Sequence, residues 1–248
     1  MCWRCVAAVL MVALGPAARA AETQVAVAAN FTEPAKAIAA AFHDATGHTA
    51  TLSFGPSGAF AAQIAHGAPF EVFLSADAER PRQAERDGLA ASGSRFTYAV
   101  GRLVLYSATP GLVDDAGAVL RNGTFAHLSI ADPATAPYGS AAVQVIAKLG
   151  LTRVLAPRIV RGNSVAQAFQ FVATGAAELG FVAQSQVVAL AGGSRWLVPA
   201  TLHTPIDQQA VLLRTGIANP AAAAFVSFLK GPQAVAIIRR YGYEIRAR

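Results

Sequence analysis

Four turns between a predicted strand and a predicted helix carry the residues that could bind a ligand. Each turn combines small polar side chains with backbone N–H groups at the start of a helix. Those N–H groups have no partner within the helix, and the aligned peptide dipoles place partial positive charge beside them. A helix start of this kind binds anions. The turns are Asn30-Phe31-Thr32, Ser57-Gly58, Tyr138-Gly139-Ser140 and Asn163-Ser164-Val165.

The simpler interpretation of each turn is helix capping, because Ser, Asn and Gly are ordinary residues at helix starts. Any single turn here is better explained as a cap than as part of a ligand site. Their repetition favours a ligand, since ligands of open α/β sheets bind beyond the carboxyl ends of the strands, where such turns lie. Arg161 is the only cation close to a turn in the sequence, and this scarcity of cations is compatible with a dianion held by neutral dipoles but does not require one.

The elements that position these turns alternate as strand, helix, strand, helix. Alternating valines predict a strand at residues 24–29, and residues 49–54 form the second strand pattern. Thr32 is expected to cap the first helix. A later helix is predicted at residues 140–149, with its apolar side chains on one stripe. This alternation predicts a mostly parallel sheet with helices on both faces.

A second domain is indicated by an apolar run at residues 96–107, which is long for one strand and has Gly101 at its centre. Such a strand can cross between domains and bend at the glycine. Residues 209–214 are predicted to be the strand that returns. A ligand held by all four turns would then lie between two lobes.

The first twenty residues have the features of a secretory signal peptide. Arg4 precedes an apolar run that is too short to span a bilayer, and Ala18-Arg19-Ala20 has the A-x-A form of a cleavage site. Cys2 and Cys5 both lie in this segment, so the mature chain is expected to contain no disulfide or reactive thiol. We therefore expect a soluble protein that is secreted to the periplasm and cleaved after Ala20.

The composition argues against nucleic-acid binding. The formal net charge is +6, but charged residues make up only 14% of the chain and form no basic stripe. No aromatic platform accompanies them, and nucleic-acid binding requires one or the other. A modest basic excess could help to attract anions.

The residues also bear on two other classes of function, hydrolysis and metal binding. Ser57 lies on a strand-to-helix turn, as a hydrolase nucleophile does, with His66, His203 and Asp207 elsewhere in the chain. However, the sequence around Ser57 lacks the last glycine of the G-x-S-x-G motif, so no catalytic residue is expected. No Cys/His set has metal-ligand spacing, and no direct metal coordination or cofactor is expected.

Five stretches of the sequence resemble the periplasmic molybdate-binding proteins of ABC importers. The resemblance runs along nearly the whole mature chain, from about Val25 to Glu244. Each stretch is weakly specific alone, and their combination is specific. The stretches are VAANFTEPAKAIAAAF, SFGPSGAFAAQIAHGAPFEVFLSAD, ADPATAPYG, GAAELGFVAQSQV and LKGPQAVAIIRRYGYE.

The resemblance implies the type II periplasmic-binding-protein fold. In this α/β fold, each of two lobes is a mostly parallel sheet flanked by helices, and two strands cross between the lobes. The expected domains are the signal peptide at 1–20, the first lobe at 21–100 plus 205–248, and the second lobe at 101–204. The implied function is capture of molybdate or tungstate by a monomer, without a cofactor, and its delivery to a membrane ABC permease.

The resemblance also implies roles for residues in the four turns. Asn30 and Ser57 would donate from side chain and backbone, and Tyr138 and Val165 would donate backbone N–H groups. Ala29 and Gly58 are weaker candidates beside them. Some members of the family have a tyrosine that reaches the anion at the position of Ala183, which this chain lacks. That difference leaves open how much the Tyr138 hydroxyl contributes.

A binding protein for another tetrahedral oxyanion, such as sulfate or phosphate, is the alternative. Phosphate keeps a proton at neutral pH and usually needs an acceptor for it in the site. Glu33 and Asp132 lie near two of the turns, so the residues alone leave phosphate open.

Overall fold

The computed structural model describes residues 20–246. The predicted signal peptide therefore lies outside the described residues, apart from Ala20. The described range contains ten strands: β1 Glu22–Ala28, β2 Thr49–Gly55, β3 Val72–Ser75, β4 Phe96–Gly101, β5 Leu103–Ser107, β6 Leu128–Ala131, β7 Ile159–Gly162, β8 Leu179–Ala183, β9 Ser194–Leu197 and β10 Ile206–Leu212.

Ten α-helices lie between and after these strands in the same range. They are α1 Thr32–Thr46, α2 Ser57–Ala65, α3 Glu79–Arg86, α4 Val119–Asn122, α5 Pro137–Lys148, α6 Thr152–Leu155, α7 Val165–Ala173, α8 Gln184–Val187, α9 Pro220–Leu229 and α10 Pro232–Arg240.

The strands form two five-stranded sheets with the same internal arrangement. The first lobe has the order β2-β1-β3-β10-β4, and the second has the order β7-β6-β8-β5-β9. In each sheet three strands run parallel, a fourth is antiparallel to them, and an edge strand pairs antiparallel with the fourth. This confirms the predicted α/β fold with two lobes. The matching order brings the carboxyl ends of the parallel strands, and the helix starts after them, to a comparable edge of each lobe.

Helices cover both faces of the first sheet, which explains its apolar strands. All four residues of β3 are buried, and Val25 and Val27 of β1 are completely buried. Phe42 of α1 packs edge-to-face on Phe225 of α9, with ring centroids 5.2 Å apart. The second lobe has a core of its own, built around β5, β6, β8 and α5.

The chain crosses between the sheets at Gly101, as predicted. Strand β4 ends at Gly101 in the first sheet, and β5 begins at Leu103 in the second. Gly101 has no room for a side chain, because a Cβ there would lie 2.7 Å from Nε2 of Gln208 and still closer to the Tyr138 hydroxyl. The glycine is therefore required by the close approach of two side chains.

The returning strand begins three residues earlier than predicted. The sequence predicted residues 209–214, whereas β10 is Ile206–Leu212, and Arg214 lies in a 3-10 turn. Ile206, Asp207 and Gln208 pair with β4, and a bulge follows between Gln208 and Gln209. The sequence pattern did not predict this start, because Asp207 and Gln208 are polar and the strand forms there by pairing with β4.

Two predicted helix starts also differ from the structure. Thr32 is not the N-cap of α1, because a 3-10 turn at Ala29–Phe31 precedes the helix and the Thr32 hydroxyl donates to the Ala29 carbonyl oxygen. Helix α5 begins at Pro137 rather than Ser140. Proline suits the first turn because its fixed φ is already helical and its missing N–H is not needed there.

Within residues 20–246, no single helix combines the length and apolar composition needed to cross a membrane. Helices α9 and α10 reach this length and apolar composition only when they are taken together, and they are bent by 59° relative to each other.

We predict that Gly101→Ala lowers the free energy of unfolding by about 1–3 kcal/mol, the usual cost of overpacking. Urea unfolding followed by circular dichroism measures this change. Gly55→Ala is the control, because its Cβ would meet the end of the Phe60 side chain at 3.2 Å, where a small shift of the ring relieves the contact. Equal losses for the two variants would contradict the close approach at Gly101.

Candidate anion-binding site between the lobes

A small cavity lies between the two lobes where the four predicted turns meet. The cavity is small: a volume of about 10 Å³ is open to the centre of a water molecule, close to the minimum of about 10–15 Å³ that one water needs. In this arrangement the lobes therefore leave room for a single ligand of about that size. The lining residues are Ala28, Ala29, Asn30, Gly55, Pro56, Ser57, Ala76, Ala136, Pro137, Tyr138, Ser164 and Val165.

Ser57 is the first residue of α2 and is only 1% exposed. Its Oγ accepts a hydrogen bond from the Ala76 N–H at 3.0 Å. No acceptor among residues 20–246 takes the hydroxyl hydrogen of Ser57 or its backbone N–H. Both groups are therefore available to donate into the cavity.

Tyr138 and Val165 lie at the starts of two helices of the second lobe. Tyr138 follows Pro137, which has no N–H, so its own N–H is the first donor of α5. Val165 opens α7 after Ser164, whose Oγ accepts from the Gln167 N–H at 3.3 Å. In the described part of the chain the N–H groups of Tyr138 and Val165 have no protein acceptor. Donors from both lobes are thus available at one cavity.

Asn30 lies in the cavity wall, but its side chain is already engaged. The amide Nδ2 donates to Oε1 of Gln208 at 2.8 Å and to the Tyr243 hydroxyl at 2.9 Å. Because both amide hydrogens have protein acceptors, a ligand contact by this side chain would need a rearrangement. Of the two ligand contacts predicted for Asn30, only the one from its backbone N–H needs no rearrangement of the side chain.

The two weaker candidates are placed differently. Ala29 lines the cavity, whereas Gly58 does not. The Gly58 N–H donates to the Thr135 carbonyl oxygen at 2.9 Å, and a Cβ on Gly58 would lie 2.9 Å from the Thr135 Cα. Gly58 therefore holds the lobes together, and its N–H is not available to a ligand in this arrangement.

No residue lining the cavity carries a charge. Arg161 is exposed and lines a separate cavity. Glu33 pairs with Lys36 at 2.8 Å, and Oδ1 of Asp132 accepts from the Ala134 N–H at 3.0 Å. The cavity wall thus offers oriented neutral donors, and it has no carboxylate that could accept a proton from the ligand.

A buried cluster of polar side chains lies behind the cavity, and sequence reasoning missed most of it. Oε1 of Gln208 accepts from Asn30 and, at 3.0 Å, from the Tyr98 hydroxyl, while Nε2 donates to the Tyr138 hydroxyl at 3.2 Å. The Tyr243 hydroxyl donates to the Asn30 carbonyl oxygen at 2.7 Å. One available signal was Gln208 itself, a polar residue next to an apolar strand pattern.

Burial of the cluster keeps its phenols protonated. It raises the pKa of Tyr243 from its usual 10.0 to about 12. Burial also raises the pKa values of Tyr98 and Tyr138 well above their usual value. These hydroxyls therefore act as neutral hydrogen-bonding groups at physiological pH.

The hydrolase alternative has no support in this geometry. His66, His203 and Asp207 make no hydrogen bond to Ser57 in residues 20–246, and Nδ1 of His203 contacts the Thr204 carbonyl oxygen. His203 is also buried. Across the same residues, no group of three or more His, Cys, Asp or Glu side chains could hold a metal ion.

Two lobes with matching sheets and a small uncharged cavity between them define a two-lobed solute-binding protein. The family model for bacterial extracellular solute-binding proteins matches residues 23–244. The chain is 60% identical to the molybdate-binding protein ModA of Azotobacter vinelandii, over 96% of this chain and 97% of that protein. It is 57% identical to ModA of Rhodobacter capsulatus, over 94% of this chain and 92% of that protein.

The solved structure of a periplasmic molybdate-binding protein from A. vinelandii is also similar. It superposes with a TM-score of 0.88 at 46% identity, over 91% of this chain and all of that chain. The chain therefore belongs to the ModA family of bacterial extracellular solute-binding proteins. All three of these relatives are named as molybdate-binding proteins.

We predict that the free energy of unfolding falls as pH rises from about 10 to about 12. In that interval the Tyr243 phenol ionises in the unfolded chain but stays protonated in the folded one. The folded state then binds more protons, so stability decreases with pH. Urea unfolding at several pH values measures this slope. Tyr243→Phe should reduce the fall by up to about 2–3 kcal/mol, and an unchanged slope would contradict the buried phenol.

Proposed function

We propose that this chain binds molybdate or tungstate between its two lobes and delivers it to the permease of an ABC importer. The observation that carries the proposal is the uncharged cavity at the lobe interface, whose available donors come from Ser57 in one lobe and from Tyr138 and Val165 in the other. The names of its 60% and 57% identical relatives support molybdate as the ligand.

Neutral donors suit a fully deprotonated dianion. Each hydrogen bond to a charged group contributes roughly 1.5–3 kcal/mol after exchange with water. Five to seven such bonds, less the cost of removing the anion from water and of closing the lobes, leave about −8 to −11 kcal/mol. This range corresponds to a dissociation constant between about a micromolar and about ten nanomolar.

The same wall disfavours phosphate. Hydrogen phosphate carries a proton that needs an acceptor, and neither Glu33 nor Asp132 lines the cavity. Sulfate has no such proton, so its rejection would depend on cavity size, because molybdate has the longer bonds from its central atom to oxygen.

The transport role requires opening and closing. We propose a hinge at the two crossings, near Gly101 and before Gln209, between a first lobe of residues 21–100 plus 205–248 and a second lobe of residues 101–204. The relatives named ModA support a periplasmic protein. Export by a cleavable signal peptide at residues 1–20 and a monomeric state are part of the same proposal.

Isothermal titration of the chain from Ala21 onward with molybdate, tungstate, sulfate and phosphate tests the ligand. We expect one-to-one binding of molybdate and tungstate, sulfate at least about a hundredfold weaker, and no measurable phosphate binding; the sulfate difference corresponds to about 2.7 kcal/mol. A preference for sulfate or phosphate would contradict molybdate as the ligand but would leave the assigned fold unaffected. No heat with any of the four would discard the proposed function.

Ser57→Ala tests the site itself. Loss of one hydrogen bond to a charged ligand should raise the dissociation constant for molybdate by about ten- to a hundredfold. Ser129→Ala is the matched control, because Ser129 is equally buried and its Oγ donates to the Ala168 carbonyl oxygen, away from the cavity. Titration should show wild-type affinity for the control, and wild-type affinity for Ser57→Ala would contradict the assigned site.

A further inference from the structure

The buried polar cluster behind the cavity connects the two lobes. Gln208 lies on β10 of the first lobe and is completely buried. Its amide contacts two residues of the cavity wall, one in each lobe. Asn30 of the first lobe donates to its Oε1 at 2.8 Å, and Tyr138 of the second lobe accepts from its Nε2 at 3.2 Å.

A second connection joins the lobes through Ser185, in α8 of the second lobe. The Ser185 hydroxyl donates to the Asn30 carbonyl oxygen at 2.7 Å and lies 3.0 Å from the Tyr243 hydroxyl. Tyr243 packs in the core of the first lobe. The Asn30 turn is therefore held from both lobes at once.

The bonds of Gln208 fix the orientation of its amide. Oε1 faces two donors, Asn30 and Tyr98, so the amide nitrogen must point toward Tyr138. The absence of a side chain on Gly101 leaves the space through which Tyr138 reaches Gln208. The phenol of Tyr138 is thus directed into the polar cluster, while the N–H of the same residue is available to the cavity.

We propose that Gln208 is a positioning residue: by holding Tyr138 against the first lobe, it fixes how the two lobes align when they close. This inference rests on the proposed function, because it concerns closure around the bound anion. When the lobes close, the Gln208–Tyr138 hydrogen bond places the α5 donor opposite the Ser57 donor. Without that bond the closed state contains a buried amide hydrogen with no partner, which is costly.

The chain offers a matched pair of tyrosines for the test. Tyr98 and Tyr138 are 3% and 2% exposed, and each hydrogen-bonds to the Gln208 amide. The Tyr98 bond stays within the first lobe, whereas the Tyr138 bond crosses between lobes. Replacement of either residue by phenylalanine removes one hydroxyl, and Tyr138→Phe keeps the backbone N–H that faces the cavity.

The experiment measures molybdate dissociation by stopped flow, the dissociation constant by titration, and the melting temperature of the ligand-free chain. Tyr138→Phe should raise the dissociation constant about ten- to a hundredfold, mainly through faster dissociation, with little change in melting temperature. Tyr98→Phe should lower the melting temperature and change the dissociation constant less than threefold.

A double-mutant cycle then assigns the effect to Gln208. Gln208→Leu should weaken molybdate binding as Tyr138→Phe does. The double variant should bind molybdate no more weakly than the single variant with the lower affinity, because both substitutions remove the same contact. Gln209→Ala is the control on the same strand, since its side chain contacts Arg95 and Thr97 instead. It should bind molybdate as the wild type does.

Three results would overturn the inference: unchanged dissociation in Tyr138→Phe, an equal effect of Tyr98→Phe on binding, or additive effects in the cycle. Titration of the wild type with the oxyanions distinguishes these results from a failure of the proposed function. If wild type binds none of the oxyanions, the proposed function fails; if wild type binds molybdate but the variants show one of these three results, only the role of Gln208 fails.

Discussion

The constraint on which this structure depends is that a buried cavity without a charged side chain can hold an anion only through oriented dipoles. Removing an ion from water is costly unless fixed hydrogen bonds replace its hydration. A single helix start offers too few free N–H groups to do this. The chain meets the requirement by directing helix starts from two sheets toward one cavity, which carries no charge on its wall.

The repeated architecture of the lobes follows from that requirement. Both sheets have three parallel strands, an antiparallel fourth and an edge strand, and the helices after the parallel strands begin at corresponding edges. The donors therefore follow strands of both sheets, and the proposed hinge lies at the two crossings between them. Close contacts such as that between Gly58 and Thr135 leave no space for a side chain where the lobes meet. The polar cluster around Gln208 lies beside one crossing, where it can influence how the lobes meet.

Much of the fold could be predicted from the sequence because its signals are local. Apolar runs such as residues 128–131 and 179–183 coincide with β6 and β8, and Pro220 and Pro232 stand at the first positions of α9 and α10, where proline is favoured. The four turns were also recognisable, since capping residues follow each strand. Strand β10 was misplaced because its first three residues are held by pairing with β4, which no local pattern reveals.

The polar cluster could not be predicted for a related reason. Asn30 and Gln208 are 178 positions apart, and Gln208 and Tyr138 are 70 apart, so only the tertiary fold brings them together. Residue type marked Asn30 and Tyr138 as candidates for a ligand site, and both line the cavity. It did not show that the side chains of both residues are directed into the protein, so that each can offer a ligand only its backbone N–H in this arrangement.

A crystal structure of the chain grown with tungstate tests the central claim most directly, because the anomalous scattering of tungsten locates the ion without reference to the protein. We predict one ion in the cavity between the lobes, within hydrogen-bond distance of the Ser57 hydroxyl and of the Tyr138 and Val165 N–H groups, and no contact with a charged side chain. An ion bound at an arginine or lysine outside this cavity, or none between the lobes, would contradict binding by neutral dipoles.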